Sequence, residues 1–339
     1  MGKRILQGTL CGLGIICLIL DSATALKGAQ DGLTLCISSI IPSIFPFLVL
    51  LGVLTPVLCG TTPRFLRPLA RLLRIPQGSE GIFLTGIIGG YPTGAQSVYG
   101  AWKRGQLSKS DAQRMLAFCS NAGPSFLFGI LGTKFSEYWM LWALWGIHII
   151  SAIIVAIIMP GENRNQSSIS PAPAVALSKS LKNAVATMGS ICGWVVLFRI
   201  LIAFLDRWFL WLLPSNMQIA IYGILELANG CCSTDLIIGD GMRFILCSGI
   251  LAFGGLCVAM QTVSVTAELG LGQYIPGKFA QALISMILSI AVQKLLFPAG
   301  DQAAISPYFL AISGIIAVIL PIILRKMKNR GSIPQAIGV

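Results

Sequence analysis

The sequence predicts an all-α polytopic membrane protein with about eight transmembrane helices and two re-entrant hairpins in an inverted-topology repeat. Three observations lead there. Of 339 residues, 55% are hydrophobic and only 11% charged, too few to cover a soluble domain of this size. The charges collect in short stretches between long apolar runs, each near the about 20 residues that roughly 30 Å of hydrocarbon requires. The apolar runs are also interrupted by Gly, Pro and small polar residues at matching places in two halves of the chain.

The net charge is +12, and basic residues cluster at Lys3/Arg4, then Arg64, Arg67, Arg71 and Arg74, then Lys103, Arg104, Lys109 and Arg114, and finally Arg325, Lys326, Lys328 and Arg330. None has the aromatic interleaving of a nucleic-acid site, so no nucleic-acid partner is expected and the positive-inside rule accounts for them. The ten cysteines form no CxxC pair and His148 is the sole histidine, so neither a metal nor another cofactor is expected. Adjacent Cys231 and Cys232 read as small buried hydrophobes. GxSxG, HExxH and P-loop patterns are absent, which argues against an enzyme.

With the basic loops placed inside, the chain divides in order. Residues 1–30 hold a first helix, with a span at about 5–20 running outward. Lys3/Arg4 before it and Ala23-Thr24-Ala25 after it resemble a secretory signal, read here as an uncleaved anchor that leaves Asp21 to Asp31 outside. The first repeat, 31–160, opens with a span at 33–59, where Pro42 and Pro46 predict kinks or a break. Residues 81–100 are apolar but rich in glycine, and both flanking loops are basic. A segment entering and leaving on one side is a re-entrant hairpin, with its tip at Gly89–Gly94. After a polar helical stretch from Leu107 to Arg114 comes a span at 115–133, interrupted at Ser120–Pro124, and another at 139–159.

Residues 161–180 read as a polar linker. The second repeat, 181–300, has a span at 184–205 and a broken stretch, 208–240, whose hairpin tip is placed at Ala228–Thr234. Spans at 243–262, interrupted at Phe253-Gly254-Gly255, and at 277–297 follow. Residues 301–339 hold a last span, 305–324, and a basic tail, with both termini cytoplasmic. The two hairpins enter from opposite faces, an arrangement that places solute sites near the midplane among broken helices.

In hydrocarbon, unwound backbone persists only where it is buried in protein or lines a wet cavity. On a functional reading the breaks bring Tyr91, Thr93, Gly94, Gln96, Ser120, Asn121, Asn229, Ser233 and Thr234 to a small polar solute, with Gln261 as a polar wall. Close helix packing through small residues is the competing reading for any single glycine. Arg199 and Glu226 are ionisable residues within apolar segments. Arg199 is expected to meet a substrate carboxylate and Glu226 a coupling proton or cation, unless the two form an ion pair with each other. His148 and Lys294 read as packing or snorkelling residues.

Four segments carry a family resemblance. Gly90-Tyr91-Pro92-Thr93-Gly94-Ala95 and Phe118-Cys119-Ser120-Asn121-Ala122-Gly123-Pro124-Ser125-Phe126 resemble paired motifs of the YlbJ-type sporulation integral membrane proteins. Glu226-Leu227-Ala228-Asn229-Gly230 and Phe253-Gly254-Gly255-Leu256-Cys257-Val258-Ala259-Met260-Gln261 are similar to the matching motifs of the second half. The resemblance runs from about residue 30 to 300 and brings with it the nucleoside recognition, or Gate, domain shared with concentrative nucleoside carriers. It implies a role in endospore formation, in the cell or forespore membrane, with transport of dipicolinic acid, a planar dicarboxylate. A nucleoside or other neutral-solute carrier and a non-transporting membrane scaffold are the alternatives. The partners expected are a small solute, a coupling ion and the lipid bilayer, with oligomerisation left open.

Overall fold

A computed structural model describes residues 2–59, 66–159, 173–266 and 268–303. Among the described residues 82% are helical and none lies in a strand. Arg64, most of the linker, the span at 305–324 and the basic tail lie outside them.

The first helix, α1 (Gly2–Leu20), presents Ile5, Leu6, Leu10, Ile16, Ile19 and Leu20 outward, as a lipid-facing helix does. Asp21 then caps α2 (Ser22–Leu35) by accepting from the Thr24 amide. From there the helix runs without a break through a π-turn (Cys36–Ile40) into α3 (Ile41–Leu58). Pro42 has no N–H for the Ser38 carbonyl. The chain answers with one wider turn, so the expected break is absent. The short helix α4 (Arg67–Leu73) precedes the pair α5 (Glu80–Gly89) and α6 (Thr93–Lys103), which pack on each other around the Gly90–Pro92 turn.

Helix α7 (Lys109–Cys119) is capped by Ser108, which accepts from the Asp111 amide and donates to its carboxylate. After extended residues at the break, Pro124 opens α8 (Pro124–Ile130), a position where its missing N–H costs nothing. Helix α9 (Trp139–Ile158) closes the first half. The second begins with the 32-residue α10 (Leu177–Trp208), which packs along α2 and α3. Gly28 and Gly32 permit that approach: a Cβ on Gly28 would stand 2.9 Å from the Ile200 Cα. The short pair α11 (Ser215–Leu225) and α12 (Leu227–Cys232) follows, then α13 (Asp240–Phe253), α14 (Gly255–Thr266) and α15 (Tyr274–Leu296).

Among the described residues, five stretches are long and apolar enough to cross a membrane: Ser22–Leu58, Trp139–Ile158, Leu177–Trp208, Asp240–Thr266 and Tyr274–Leu296. The sequence predicts eight. Of the other three, 305–324 is outside the described residues and 5–20 is the shorter helix α1. The stretch 115–133 divides into α7 and α8, because Gly123-Pro124 cannot continue a helix.

Arg114, read from sequence as part of a basic loop, is buried. Its guanidinium bonds the carbonyls of Leu73 (2.5 Å), Arg74 (3.0 Å), Ala156 (2.8 Å) and Met159. These are the last carbonyls of α4 and α9, so one cation joins two helix C-termini.

Candidate functional site

The site forms where two turns meet two breaks. In the first half Gly90, at φ 73°, turns the chain between α5 and α6. Its backbone lies against the α7–α8 break so closely that a Cβ on Gly90 would stand 2.8 Å from the Gly123 amide nitrogen. Gly86 and Gly94 flank the Cys119 carbonyl, and a Cβ on either would overlap it. In the second half Glu226 is the extended residue between α11 and α12. Beside it the chain breaks at Gly254 and Gly255, at φ 80° and 81°, and a Cβ on Gly255 would lie 3.1 Å from the Gly223 carbonyl. Each half thus sets a two-helix turn against the break in the next long helix.

Tyr91 connects the halves. Its hydroxyl donates to the Leu251 carbonyl at 3.2 Å, at the end of α13, and the ring covers Gly254. Between the turns lies a cavity of about 30 Å³. Tyr91, Ala122, Gly123, Glu226 and Gln261 line it, one or more from each of the four motif segments. Ile40 of the π-turn and Ile44 of α3, with Ile191 and Val195 of α10, complete its apolar wall. A space this small holds a water or two and no organic solute.

A second cavity, of about 340 Å³, adjoins the same turn through Thr93 and lies between α3, α6 and α10. Gln96, Ser97 and Arg104 of α6 face Thr55 of α3 and Ser180, Asn183 and Thr187 of α10 across it, and Gln96 donates to the Thr187 hydroxyl at 3.2 Å. This volume is within the range of small-molecule pockets.

Glu226, 2% exposed, accepts from the amides of Ala228 (3.0 Å) and Asn229 (2.6 Å) and from Asn229 Nδ2 (2.7 Å). It is the N-cap of α12, with the positive end of that helix beneath it. The predicted tip at Ala228–Thr234 is therefore corrected. The turn is at Glu226, and Ala228 to Cys232 are helical because the carboxylate satisfies their first amides.

Arg199 also departs from expectation. It bonds Asp31 at 2.9 Å and approaches Asp206 at 3.7 Å, while Tyr222 donates to Asp206 at 2.6 Å. This network on the α2–α10 seam leaves the guanidinium answered by two carboxylates, and it makes no ion pair with Glu226.

The remaining sequence candidates divide. Tyr91, Glu226 and Gln261 line the small cavity, and Thr93 and Gln96 line the larger one. Gly94 is a packing position, and Asn229 supports the cap. Thr234 bonds the Cys231 carbonyl at 2.7 Å, and Ser233 opens a 3-10 turn, both away from either cavity. Ser120 and Asn121 are fully buried behind the break.

Beside Asn121 lies a residue that sequence reasoning missed. Lys278 of α15 is 0% exposed, with Nζ 2.7 Å from Gln281 Oε1, 3.4 Å from Asn121 Oδ1 and 5.2 Å from the Tyr91 ring centroid. Gln281 Nε2 donates to Asn121 Oδ1 (3.1 Å) and to the His148 carbonyl (3.3 Å), and His148 Nε2 accepts from the Ala122 amide (3.0 Å). The polar residues of α9 and α15 thus hold the first break in place. The signal available in the sequence is a lysine inside the predicted span 277–297.

Fold and site together define an integral membrane protein built of helices, whose broken segments converge on a buried polar centre. Across 293 residues, 71% of this chain and 70% of the relative, the chain is 22% identical to the sporulation integral membrane protein YlbJ of Bacillus subtilis (strain 168). It is a distant homologue of that protein, in agreement with the motif resemblance. No protein-family profile matches the chain. No solved structure matches it.

Proposed function

We propose that the chain is a carrier of a small polar solute, moved through the junction where the two turns and the two breaks meet. The observation that carries this is the convergence of four motif segments on one cavity between the halves. Backbone breaks within apolar segments are stable only where protein or a wet path receives them, and here all of them face one another. The larger cavity beside Thr93 and Gln96 is the entry from the side on which the α6–α7 loop and the start of α10 lie, the cytoplasmic side on the positive-inside assignment. The small cavity, too narrow for an organic solute, is the barrier of a state awaiting solute. Alternation would then rock one inverted repeat against the other about the Tyr91–Leu251 contact.

The solute proposed is a small organic anion, with dipicolinate first, on the strength of the sporulation relative. Both termini are cytoplasmic in this reading, and the chain is not an enzyme. A neutral solute such as a nucleoside is the second reading. It gains from the pairing of Arg199 with Asp31 and Asp206, which removes the cation first assigned to the substrate.

The test is uptake of labelled dipicolinate into proteoliposomes, with labelled uridine in parallel. Saturable dipicolinate uptake that disappears in Gly94→Leu supports the anion carrier. Uridine uptake alone moves the assignment to neutral solutes. Flux of neither in well-folded protein favours a scaffold.

A further inference from the structure

Four other described cations that are buried or partly buried are answered by the protein itself. Arg199 has Asp31 and Asp206, Arg243 has Asp240, Lys134 has Asp235, and Arg114 has the four helix-end carbonyls. Lys278 differs. It is fully buried, and no carboxylate lies within ion-pair distance of it among the described residues. Its neighbours are two amide oxygens and an aromatic face.

The depth of the residue is fixed by α9. Gln281, bonded to Lys278, also donates to the carbonyl of His148, the midpoint of that span. An ammonium at mid-depth with no counter-charge is costly, and such groups mark solute or ion pathways.

A second observation is independent of the charge. His148 Nδ1 and Ser285 Oγ are buried without a hydrogen-bond partner, and the buried hydroxyls of Ser120 and Thr262 have no partner but the Tyr274 hydroxyl. Tyr274 stands one turn before Lys278 on α15 and Ser285 two turns after it; Ser120 adjoins Asn121, and His148 bonds the same break. Buried polar groups nearly always find partners. Hydroxyls that answer only one another, beside a cation with no carboxylate, make a place that an acceptor-rich anion would complete. Tyr91 belongs to both places, since its ring lines the small cavity and receives the Lys278 ammonium.

We propose that Lys278, with the hydroxyls of Ser120 and Tyr274, is the recognition site for a carboxylate of the carried solute, which replaces the amide oxygens at its ammonium when Tyr91 moves aside. This rests on the carrier reading and names the chemical class of its solute. The role given to Arg199 by sequence passes to Lys278.

The experiment compares wild type, Lys278→Met and Lys278→Arg, each as the full chain. The probes are pyridine-2,6-dicarboxylate and its neutral diamide, measured by equilibrium binding in detergent and by uptake in proteoliposomes. The wild type is expected to bind the dicarboxylate, and Lys278→Met to weaken that binding by roughly 30-fold or more, the loss of one charge-assisted hydrogen bond. Diamide binding should stay within about threefold and Lys278→Arg should retain dicarboxylate binding. Removal of an unpaired buried charge should leave the unfolding midpoint of Lys278→Met level or higher.

Equal dicarboxylate affinity in Lys278→Met overturns the proposal. So does equal loss of both probes in folded protein, which would make Lys278 a structural or coupling group. Wild type that takes up uridine yet binds no dicarboxylate overturns the anion site and leaves the carrier standing. Wild type that binds the dicarboxylate but moves no probe retains the site and overturns the carrier. Should Lys278→Met fail to fold, Ser120→Ala and Tyr274→Phe carry the same test, and unchanged dicarboxylate affinity in both overturns the proposal.

Discussion

Glu226 is the position where the structure and the sequence assign different work to one carboxylate. As the cap of α12 it accepts three hydrogen bonds, from the amides of Ala228 and Asn229 and from Asn229 Nδ2. Glu226→Gln preserves the shape but replaces one acceptor oxygen with an NH2 group. In either orientation of the amide at least one backbone N–H then faces a donor. A buried donor left unpaired costs about 1–3 kcal/mol, and loss of an N-cap about 0.5–2 kcal/mol. These overlap, so Glu226→Gln should cost about 2 kcal/mol and Glu226→Ala about 3 kcal/mol.

The change is local, so the assay should be local. Cys231 lies in α12 with no exposed surface, and opening of the helix admits an alkylating reagent. A cost of about 2 kcal/mol raises the open fraction roughly 30-fold, and the Cys231 alkylation rate should rise by that factor in Glu226→Gln, measured by mass spectrometry. Uptake should fall as Cys231 alkylation rises across Glu226→Asp, Glu226→Gln and Glu226→Ala. Full Cys231 protection in Glu226→Gln would refute the cap, and lost uptake with protection intact would restore the coupling role that the sequence suggests.

Three further outcomes follow from the geometry. Gly94→Ala should lower the unfolding midpoint, because its Cβ would press on the Cys119 carbonyl and lie 2.9 Å from the Gly86 Cα, an overpacking cost of about 1–3 kcal/mol. Gly146→Ala, with nothing within 4 Å of the new Cβ, is its neutral control in the same melt. Arg199→Gln should reduce membrane abundance while uptake per molecule persists, since it strands Asp31 and Asp206; normal abundance with abolished uptake would return Arg199 to the substrate. The exposed Lys103–Glu268 pair holds the Glu268 carboxyl below its ordinary value of 4.5 and the Lys103 ammonium above 10.5, chiefly through their hydrogen bond. Its stabilisation is complete between those values, lost as pH falls through the lowered carboxyl and lost again as pH rises through the raised amine. Glu268→Gln should therefore leave the melting profile between pH 5 and 8 displaced by a small constant at most, and one that shrinks with salt.

The first turn was legible almost to the residue, since Gly89-Gly90-Tyr91-Pro92 can neither continue a helix nor form a strand. The second was misplaced by a few positions for a definable reason. Asn229-Gly230 looks like a turn, but Glu226 three residues earlier supplies an acceptor for the Asn229 amide and turns the same residues into a first helical turn. The pairing of Arg199 could not be read from sequence because its partner, Asp31, was placed outside the membrane. The structure continues α2 through Asp31 and on without a break into α3, so the carboxylate faces α10. Lys278 was invisible as a site because depth is a tertiary quantity. Counted along its own helix it lies near an end, and only contact with the middle of α9 through Gln281 shows how far inside it lies.

That placement bears on how the halves move. Gly90 is locked to Gly123, and Tyr91 in the same turn is bonded to Leu251 and pressed on Gly254, so the first turn touches the break of its own half and that of the other. Lys278 rests on the opposite half's Asn121 and on Tyr91. Any shift of the first turn that opens the cavity must therefore change what surrounds the lysine. A bound anion that pairs with Lys278 would alter the same contacts from the other side. Tyr91→Phe separates the two effects, because it removes the hydroxyl bond to Leu251 and keeps the aromatic face over the ammonium. Its expected signature is faster exchange between open and closed states, read as a raised dicarboxylate on-rate and off-rate with affinity changed less than about threefold. If affinity falls instead with rates of entry unchanged, the Tyr91 hydroxyl contacts solute directly, and the contact with Leu251 is not the latch between the halves.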